Sequence, residues 1–285
     1  MSNRYTDRLT TLVFLSVRPL FFLFLPLFSG EQWPYGTIHI IGDSNAPYSF
    51  TNQYDVLPSL NIPAKGTSEW ITYEQCFFDN ALSTSNHLEI PCAIHWVQGR
   101  TMHRIGRDGI DGLNIQTYQV NDRDVAVFHF GAIDQGGHIY KQVIKGRELD
   151  EIIDTLVSTY LRTIQENQKM YPDLTVVIQA VIPPRINADP FFVDDFHKGC
   201  PYVNFLDFQS NVTHTLNTKL EMVSKQHNFL FLNVNELLET KEGGLREDLS
   251  DGSHHVHPKY NFLFKEKLIL LLLDHYRLKM KQTLS

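Results

Sequence analysis

The chain is expected to fold as a three-layer α/β/α sandwich around a five-stranded parallel sheet. Three observations point there. Five short, mostly apolar β-type runs recur along residues 37–234. Helix-type periodicity separates them. No Pro-, Gly- or Ser-rich linker or internal repeat divides the chain from residue 35 onward. Strands buried on both faces read as continuous apolar runs, and strand–helix alternation brings them together as parallel neighbours.

The elements follow in order. Thr37-Ile-His-Ile-Ile41 is β-branched and stops at Gly42, and Ala93-Ile-His-Trp-Val97 stops near Gly99. Val125-Ala-Val-Phe-His-Phe130 stops at Gly131, and Leu174–Ile182 at Pro183-Pro184. Phe229-Leu-Phe-Leu-Asn-Val234 is the fifth run. Between the third and fourth, Gln142–Lys169 carries Ile152, Ile153, Leu156, Val157, Tyr160, Leu161 and Ile164 at spacings of three and four, one buried helical stripe. Leu216, Leu220 and Val223 mark a helix before the fifth strand, and Asn261–Lys281 reads as a C-terminal helix. Residues 51–90 fit neither pattern and are expected to be an insertion. Pro183–Pro201 holds four prolines and reads as a loop at the carboxyl end of the sheet.

Residues 1–34 are set apart from the domain expected over 35–285. Arg4 and Arg8 precede an apolar run, Leu12–Phe28, the order of a secretory signal or membrane anchor. Arg18 within the run, at a cost of roughly 2.5–3.5 kcal/mol at a bilayer centre, and helix-breaking Pro19 and Pro26 oppose it. Secreted, membrane-anchored and intracellular locations therefore all stay open, with any membrane association expected through this segment. The run Leu268–Leu273 is far shorter than the ~20 residues of a span.

Composition excludes several classes. With 20% charged and 12% aromatic residues the chain is too apolar for disorder. A net charge of −7 argues against a broad nucleic-acid face. Cys76, Cys92 and Cys200 form neither a disulfide scaffold nor a zinc pattern. A single sequon, Asn211-Val-Thr213, discriminates little. There is no Gly-x-Gly-x-x-Gly after the first strand, no P-loop and no Gly-x-Ser-x-Gly elbow.

In a parallel sheet the ligand site lies at the carboxyl ends of the strands. Gly42-Asp43-Ser44-Asn45 follows the first strand there. A serine on such a turn can project into the site, with its own N–H at a helix start facing a developing oxyanion. The same residues also serve as ordinary strand exits and helix caps. Leu249-Ser-Asp-Gly-Ser-His-His-Val-His-Pro258, before the last helix, places Asp251 and His254 at Asp-x-x-His spacing. An imidazole base and an orienting carboxylate would then share one loop. His255, with a one-residue longer turn, and His257, before Pro258, are the alternatives.

Together the two segments resemble the SGNH/GDSL hydrolase family, whose first block is Gly-Asp-Ser and last block Asp-x-x-His. The resemblance covers residues 37 to about 280 and implies a flavodoxin-like fold and a serine esterase requiring no cofactor. It implies Ser44 as nucleophile, His254 as base and Asp251 as its orienting acid. The second block, a glycine donating to the oxyanion, matches Gly99 better than Gly106. The third block, Gly-x-Asn-Asp, corresponds to Gly131-Ala-Ile-Asp134, so Ile133 stands where the family has its asparagine donor. Gln135 or His138 could replace that donor. A branch of the family reading Gly-Glu-Ile-Asp-x-Arg-x-His, some of whose members accompany glycan-modifying enzymes, is more similar still, yet Ala132 and Gly136 depart from it. Asp43, Asn45, Asp134, His138, His255 and His257 are expected to line the site. The expected partner is a small-molecule or glycan ester, a sugar or lipid acyl ester.

Two other functions compete. Asp43, Asp134, His129, His138, His255 and His257 could hold two divalent ions for phosphoester hydrolysis. Alternatively, with Ile133 and Ala132 in block three, the fold could bind a glycan or acyl group without turnover.

Overall fold

The computed structural model describes residues 33–51, 70–77, 90–97, 99–185, 205–252 and 255–283. The N-terminal apolar run, most of the proline-rich loop 183–201, Cys200 and His254 lie outside them. Tyr35–Phe77 and Ile90–Ser285 belong to one compact unit.

Among the described residues six strands form one sheet, in the order β2-β3-β1-β4-β5-β6. Its five parallel members are β1 (Ile38–Gly42), β3 (Ile90–Val97), β4 (Val125–His129), β5 (Thr175–Gln179) and β6 (Leu230–Leu232). These are the five apolar runs, and β1, β4 and β5 are buried at every position. Within residues 51–90, expected to be an insertion, residues 70–77 form a sixth strand. β2 (Trp70–Phe77) pairs antiparallel with β3 at the sheet edge, in register Trp70↔Val97 to Phe77↔Ile90.

Helices cover both faces. Following β1 is the short α1 (Asn45–Phe50), and following β3 is α2 (Met102–Asp108). The long segment expected from Gln142 is two helices, α3 (Ile139–Val143) and α4 (Leu149–Gln168). Gly146 breaks them at φ +81°, a left-handed conformation that a helix cannot continue through. α5 (Phe205–Gln226) precedes β6, a single turn α6 (Asn235–Leu238) follows it, and α7 (Phe262–Thr283) closes the chain.

The predicted α4 stripe, Ile152 through Ile164, is buried throughout. With Met102 and Ile105 of α2 and Phe208, Val212 and Leu216 of α5 it forms the main core against Phe128 and Ile178 of the sheet. Each such aliphatic side chain stabilises by roughly 1.5–3 kcal/mol before entropy is counted. On the other side Phe50 of α1 meets Phe264 of α7 at 5.7 Å between ring centroids. The side-chain amide of Asn261 donates to the Thr51 carbonyl, joining the end of α1 to the start of α7. No described helix is long and apolar enough to cross a membrane.

One buried polar chain crosses the sheet. Asp124, just before β4, accepts from the Thr37 N–H at 2.8 Å and meets His39 Nε2 at 3.2 Å. His39 Nδ1 in turn lies 3.0 Å from His95 Nε2 on β3. This chain braces the inner strands away from their carboxyl ends, because burying those groups unpaired would be costly.

Candidate active site

The site is built first from the exit of β1. Gly42 is opposite His129 in the β1–β4 register. A Cβ at Gly42 would sit 2.4 Å from the His129 carbonyl oxygen and 2.7 Å from Ala46 Cβ, so only glycine lets the turn pass so close to β4. The Asp43 N–H donates to that same carbonyl at 3.1 Å. One Asp43 carboxylate oxygen then accepts from the Asn45 N–H at 2.9 Å and from its side-chain amide at 3.2 Å. Such an Asx turn fixes the residue between them, Ser44. Asp43 and Asn45 are buried, so they shape the turn from beneath, while Ser44 is half-exposed at the start of α1. Burial pushes the Asp43 carboxyl above its ordinary range. Pro47 falls in the first turn of α1, where no N–H is required.

The second contribution is a small clip before α7. Ser250 and Val256 form an antiparallel bridge. The Asp251 N–H donates to the His255 carbonyl at 3.1 Å, and the His257 N–H to the Leu249 carbonyl at 2.7 Å. Gly252, at φ +90°, takes the chain into the turn. Residues directly opposite in an antiparallel pair project to the same side. Asp251 therefore faces His255, and their side chains meet at 3.2 Å, Asp251 Oδ2 to His255 Nδ1. The other ring nitrogen, Nε2, lies 3.0 Å from Ser44 Oγ.

Ser44, His255 and Asp251 thus form one continuous chain, joining residues 211 positions apart. A carboxylate on Nδ1 favours the tautomer with its proton there, leaving the Nε2 lone pair facing the hydroxyl. His254 lies outside the described residues, and the imidazole on Ser44 is that of its neighbour. His257 has another task. Its Nδ1 accepts from the Lys259 N–H at 3.1 Å, capping the turn Pro258–Tyr260.

Two aromatic groups lie beside this chain: Tyr48, which no motif singles out, and His129, one of the candidate metal ligands. Tyr48, one helical turn after Ser44, stacks on His255 with centroids 3.9 Å apart and planes 8° from parallel. His129 sits at the end of β4, 2% exposed, edge-on to Phe50. Burial, reinforced by nearby His255, pushes its imidazole down to about 3, so it is neutral at pH 7.

The second and third blocks meet around the start of α2. Gly99 adopts φ +68°, and its carbonyl accepts from Arg104 Nη1 at 2.9 Å. Gly106 is inside α2, where a Cβ would lie 2.4 Å from Thr159 Oγ1 of α4, so it is a helix-packing glycine. Gly131 has φ +123° and would drive a Cβ within 2.5 Å of Val181 Cγ2. Asp134 opens a π-helical turn, Asp134–His138. Fully buried, it accepts from the N–H groups of Met102 at 2.7 Å and His103 at 3.1 Å. It thereby anchors the helix of the second block. Burial raises its carboxyl to about 7 despite those donors, and the Asp43 charge adds to the rise.

Of the two residues expected to replace the missing asparagine, the Gln135 amide donates to Thr213 of α5. His138 stacks on His103 at 3.8 Å between centroids. Its imidazole is pushed down to about 4, by burial first and then by neighbouring His103, Arg147 and Lys141. Ile133 is 48% exposed. Among the described residues no group of three His, Cys, Asp or Glu side chains is arranged to hold a metal ion.

No protein-family model matches the chain. No curated protein sequence matches it. Among solved structures, a GDSL-like lipase from Bacteroides thetaiotaomicron superposes with a TM-score of 0.50 at 10% identity, over 90% of this chain and 98% of that one. A carbohydrate esterase family 3 structure from Talaromyces cellulolyticus gives 0.46 at 12% identity, over 85% and 98%. Phospholipase A1 from Streptomyces albidoflavus gives 0.43 at 10%, over 84% and 99%. With five parallel strands ordered 2-1-3-4-5 and helices on both faces, the chain shares the fold of that GDSL-like lipase.

Proposed function

We propose that the protein is a serine-dependent ester hydrolase acting on an acyl ester of a sugar or lipid. One observation carries the proposal: Ser44 Oγ, both nitrogens of His255 and the Asp251 carboxylate lie in a single hydrogen-bonded chain, at 3.0 and 3.2 Å. A hydroxyl is a weak nucleophile until a base can take its proton as it attacks, and this arrangement supplies the base.

That chain supports an acyl-enzyme route. Ser44 Oγ attacks the ester carbonyl while His255 Nε2 takes the hydroxyl proton. Asp251 stabilises the imidazolium and keeps it in plane. The carbonyl oxygen gathers negative charge against the N–H groups of Ser44 and Gly99. The C–O bond to the alcohol breaks, and the imidazolium returns its proton to the departing oxygen. Water then attacks the acyl-serine, giving up a proton to His255; the acyl–Oγ bond breaks, His255 returns that proton to Ser44 Oγ, and the carboxylic acid leaves. No cofactor enters any step.

Ile133 sets the expected speed. One oxyanion donor typically contributes ~2.7–4 kcal/mol, about 10²–10³ in rate. An enzyme with the serine chain intact but that donor missing should turn over slowly. The half-exposed Ile133 also favours a second reading, a protein that holds an acylated ligand without cleaving it. Hydrolysis of p-nitrophenyl acetate and labelling by a fluorophosphonate separate the two. Wild type should do both and Ser44→Ala neither. Equal rates for the two proteins would remove Ser44 from the chemistry, and ligand binding with no reaction at Ser44 would establish the binding protein.

A further inference from the structure

We propose that Tyr48 is a positioning residue for His255, holding the imidazole plane in the orientation that serves Ser44 and Asp251 together and stabilising its protonated form. The proposal rests on the esterase reading above and extends it to a residue outside the sequence motifs.

An imidazole must satisfy two directions at once. Nδ1 has to face Asp251 and Nε2 has to face Ser44, so the ring has one useful plane. Two hydrogen bonds of 3.2 and 3.0 Å define that plane at its edges, and contact with a ring face adds resistance to tipping about the line joining them. A flat surface against one face opposes that motion. Tyr48 provides it, with its ring 8° from parallel at 3.9 Å. The phenol is fixed by its helix: Ser44 caps α1 and Tyr48 follows four residues later, so both lie on one side of it. The nucleophile and the support for its base therefore move as one rigid unit. α1 is itself held by Phe50 against Phe264 and by the Asn261 bond to Thr51.

The stack also has an electrostatic sense. The face of an aromatic ring carries negative potential and attracts a cation. His255 is neutral before attack and cationic in the transition state, so the contact strengthens as the proton arrives. An interaction that strengthens in the transition state raises kcat and leaves substrate affinity alone. The phenol stays protonated, because burial and then the Asp251 charge raise it above its ordinary value. A Phe should therefore serve as well as the Tyr.

The test uses full-length protein with p-nitrophenyl acetate and a fluorophosphonate probe. Tyr48→Leu is expected to lower kcat and the maximal labelling rate about 5- to 10-fold, a stacking-sized effect, with KM and the probe's half-saturation unchanged. Tyr48→Phe should remain within about twofold of wild type. Tyr48→Met, a flexible side chain of similar length, repeats the measurement if the Leu protein does not fold, with far-UV circular dichroism as the check. The proposal is overturned by an unchanged kcat in the Leu and Met proteins, by a loss confined to KM, or by a Phe variant as impaired as Leu. In those cases a reactive wild type still upholds Ser44 and His255. A wild type that neither hydrolyses nor is labelled overturns both proposals.

Discussion

Replacing Asp134 by Asn tests how burial and backbone donors compete at the centre of this fold. Asp134 has no solvent exposure, and its carboxylate faces the N–H groups of Met102 and His103 at the start of α2. Those donors favour the ionised form and burial opposes it, and burial wins, holding the carboxyl at about 7. An unfolded aspartate titrates near ~3.9. Between those values the folded protein keeps a proton that the unfolded chain has released. The contribution of this group to stability is therefore complete below pH ~4 and is lost as pH rises through about 7. Each pH unit in that window is worth ~1.4 kcal/mol, so the whole window amounts to ~4 kcal/mol. An amide at this position would hold no such proton. At low pH the substitution should cost ~1–3 kcal/mol, because the amide oxygen can accept from only one of the two N–H groups. As pH rises, the wild-type advantage should shrink by ~4 kcal/mol and reverse. Urea unfolding of wild type and Asp134→Asn at pH 4.5, 6 and 8 measures the difference, in which the other titrating groups largely cancel. A difference constant with pH, or a wild-type advantage that grows between pH 4.5 and 8, would refute the reasoning: the helix-start donors would then outweigh burial and Asp134 would be ionised throughout.

Two further outcomes follow from the same geometry. Gly42→Ala should destabilise by ~1–3 kcal/mol through overpacking against the His129 carbonyl and should displace the Ser44 turn, so fluorophosphonate labelling should fall at least tenfold. Wild-type labelling in a folded Gly42→Ala protein would show that the turn tolerates the extra methyl. His255→Asn should abolish labelling, whereas His257→Asn, which removes only a turn cap, should leave it within about twofold. The opposite pattern would move the base to His257.

The parallel sheet is legible because most of its strands are buried on both faces and so read as mostly apolar runs, four of them ending at or near glycine or proline. β2 is not, because an edge strand follows a weaker rule: Trp70-Ile-Thr-Tyr-Glu-Gln-Cys-Phe77 mixes polar and apolar residues with no continuous run. The break between α3 and α4 hinges on Gly146, and an isolated glycine in a helical pattern is often carried through. At the site, Ser44 and Asp251 are readable from residue type and place. The choice of histidine is not, because it depends on the register of the clip from 249 to 257. The Ser250–Val256 bridge sets Asp251 opposite His255, and spacing alone does not select a register in a turn that offers three imidazoles. Tyr48 is hidden for another reason: at position 48 an aromatic next to core residues Ala46 and Phe50 looks like more core.

The departure at block three has a narrower consequence than the motif suggests. The third block has a structural duty in this chain, and the family resemblance implies a separate chemical one. Asp134 performs the structural one, gripping the first turn of α2 through two backbone donors. Gly131 adds to it, since any Cβ there would strike Val181 and Met102. That duty does not involve residue 133, whose side chain is turned toward solvent. The serine chain depends on other supports altogether: the exit of β1 beneath Ser44, the clip beneath His255, and the α1–α7 contact that ties the two together. On the proposed esterase reading, Ile133 in place of the family's asparagine would withdraw one donor from the oxyanion without disturbing Ser44, His255 or the second-block helix. Activation of the hydroxyl and stabilisation of the charge it creates are independent contributions, and the proposal has only the second reduced by Ile133.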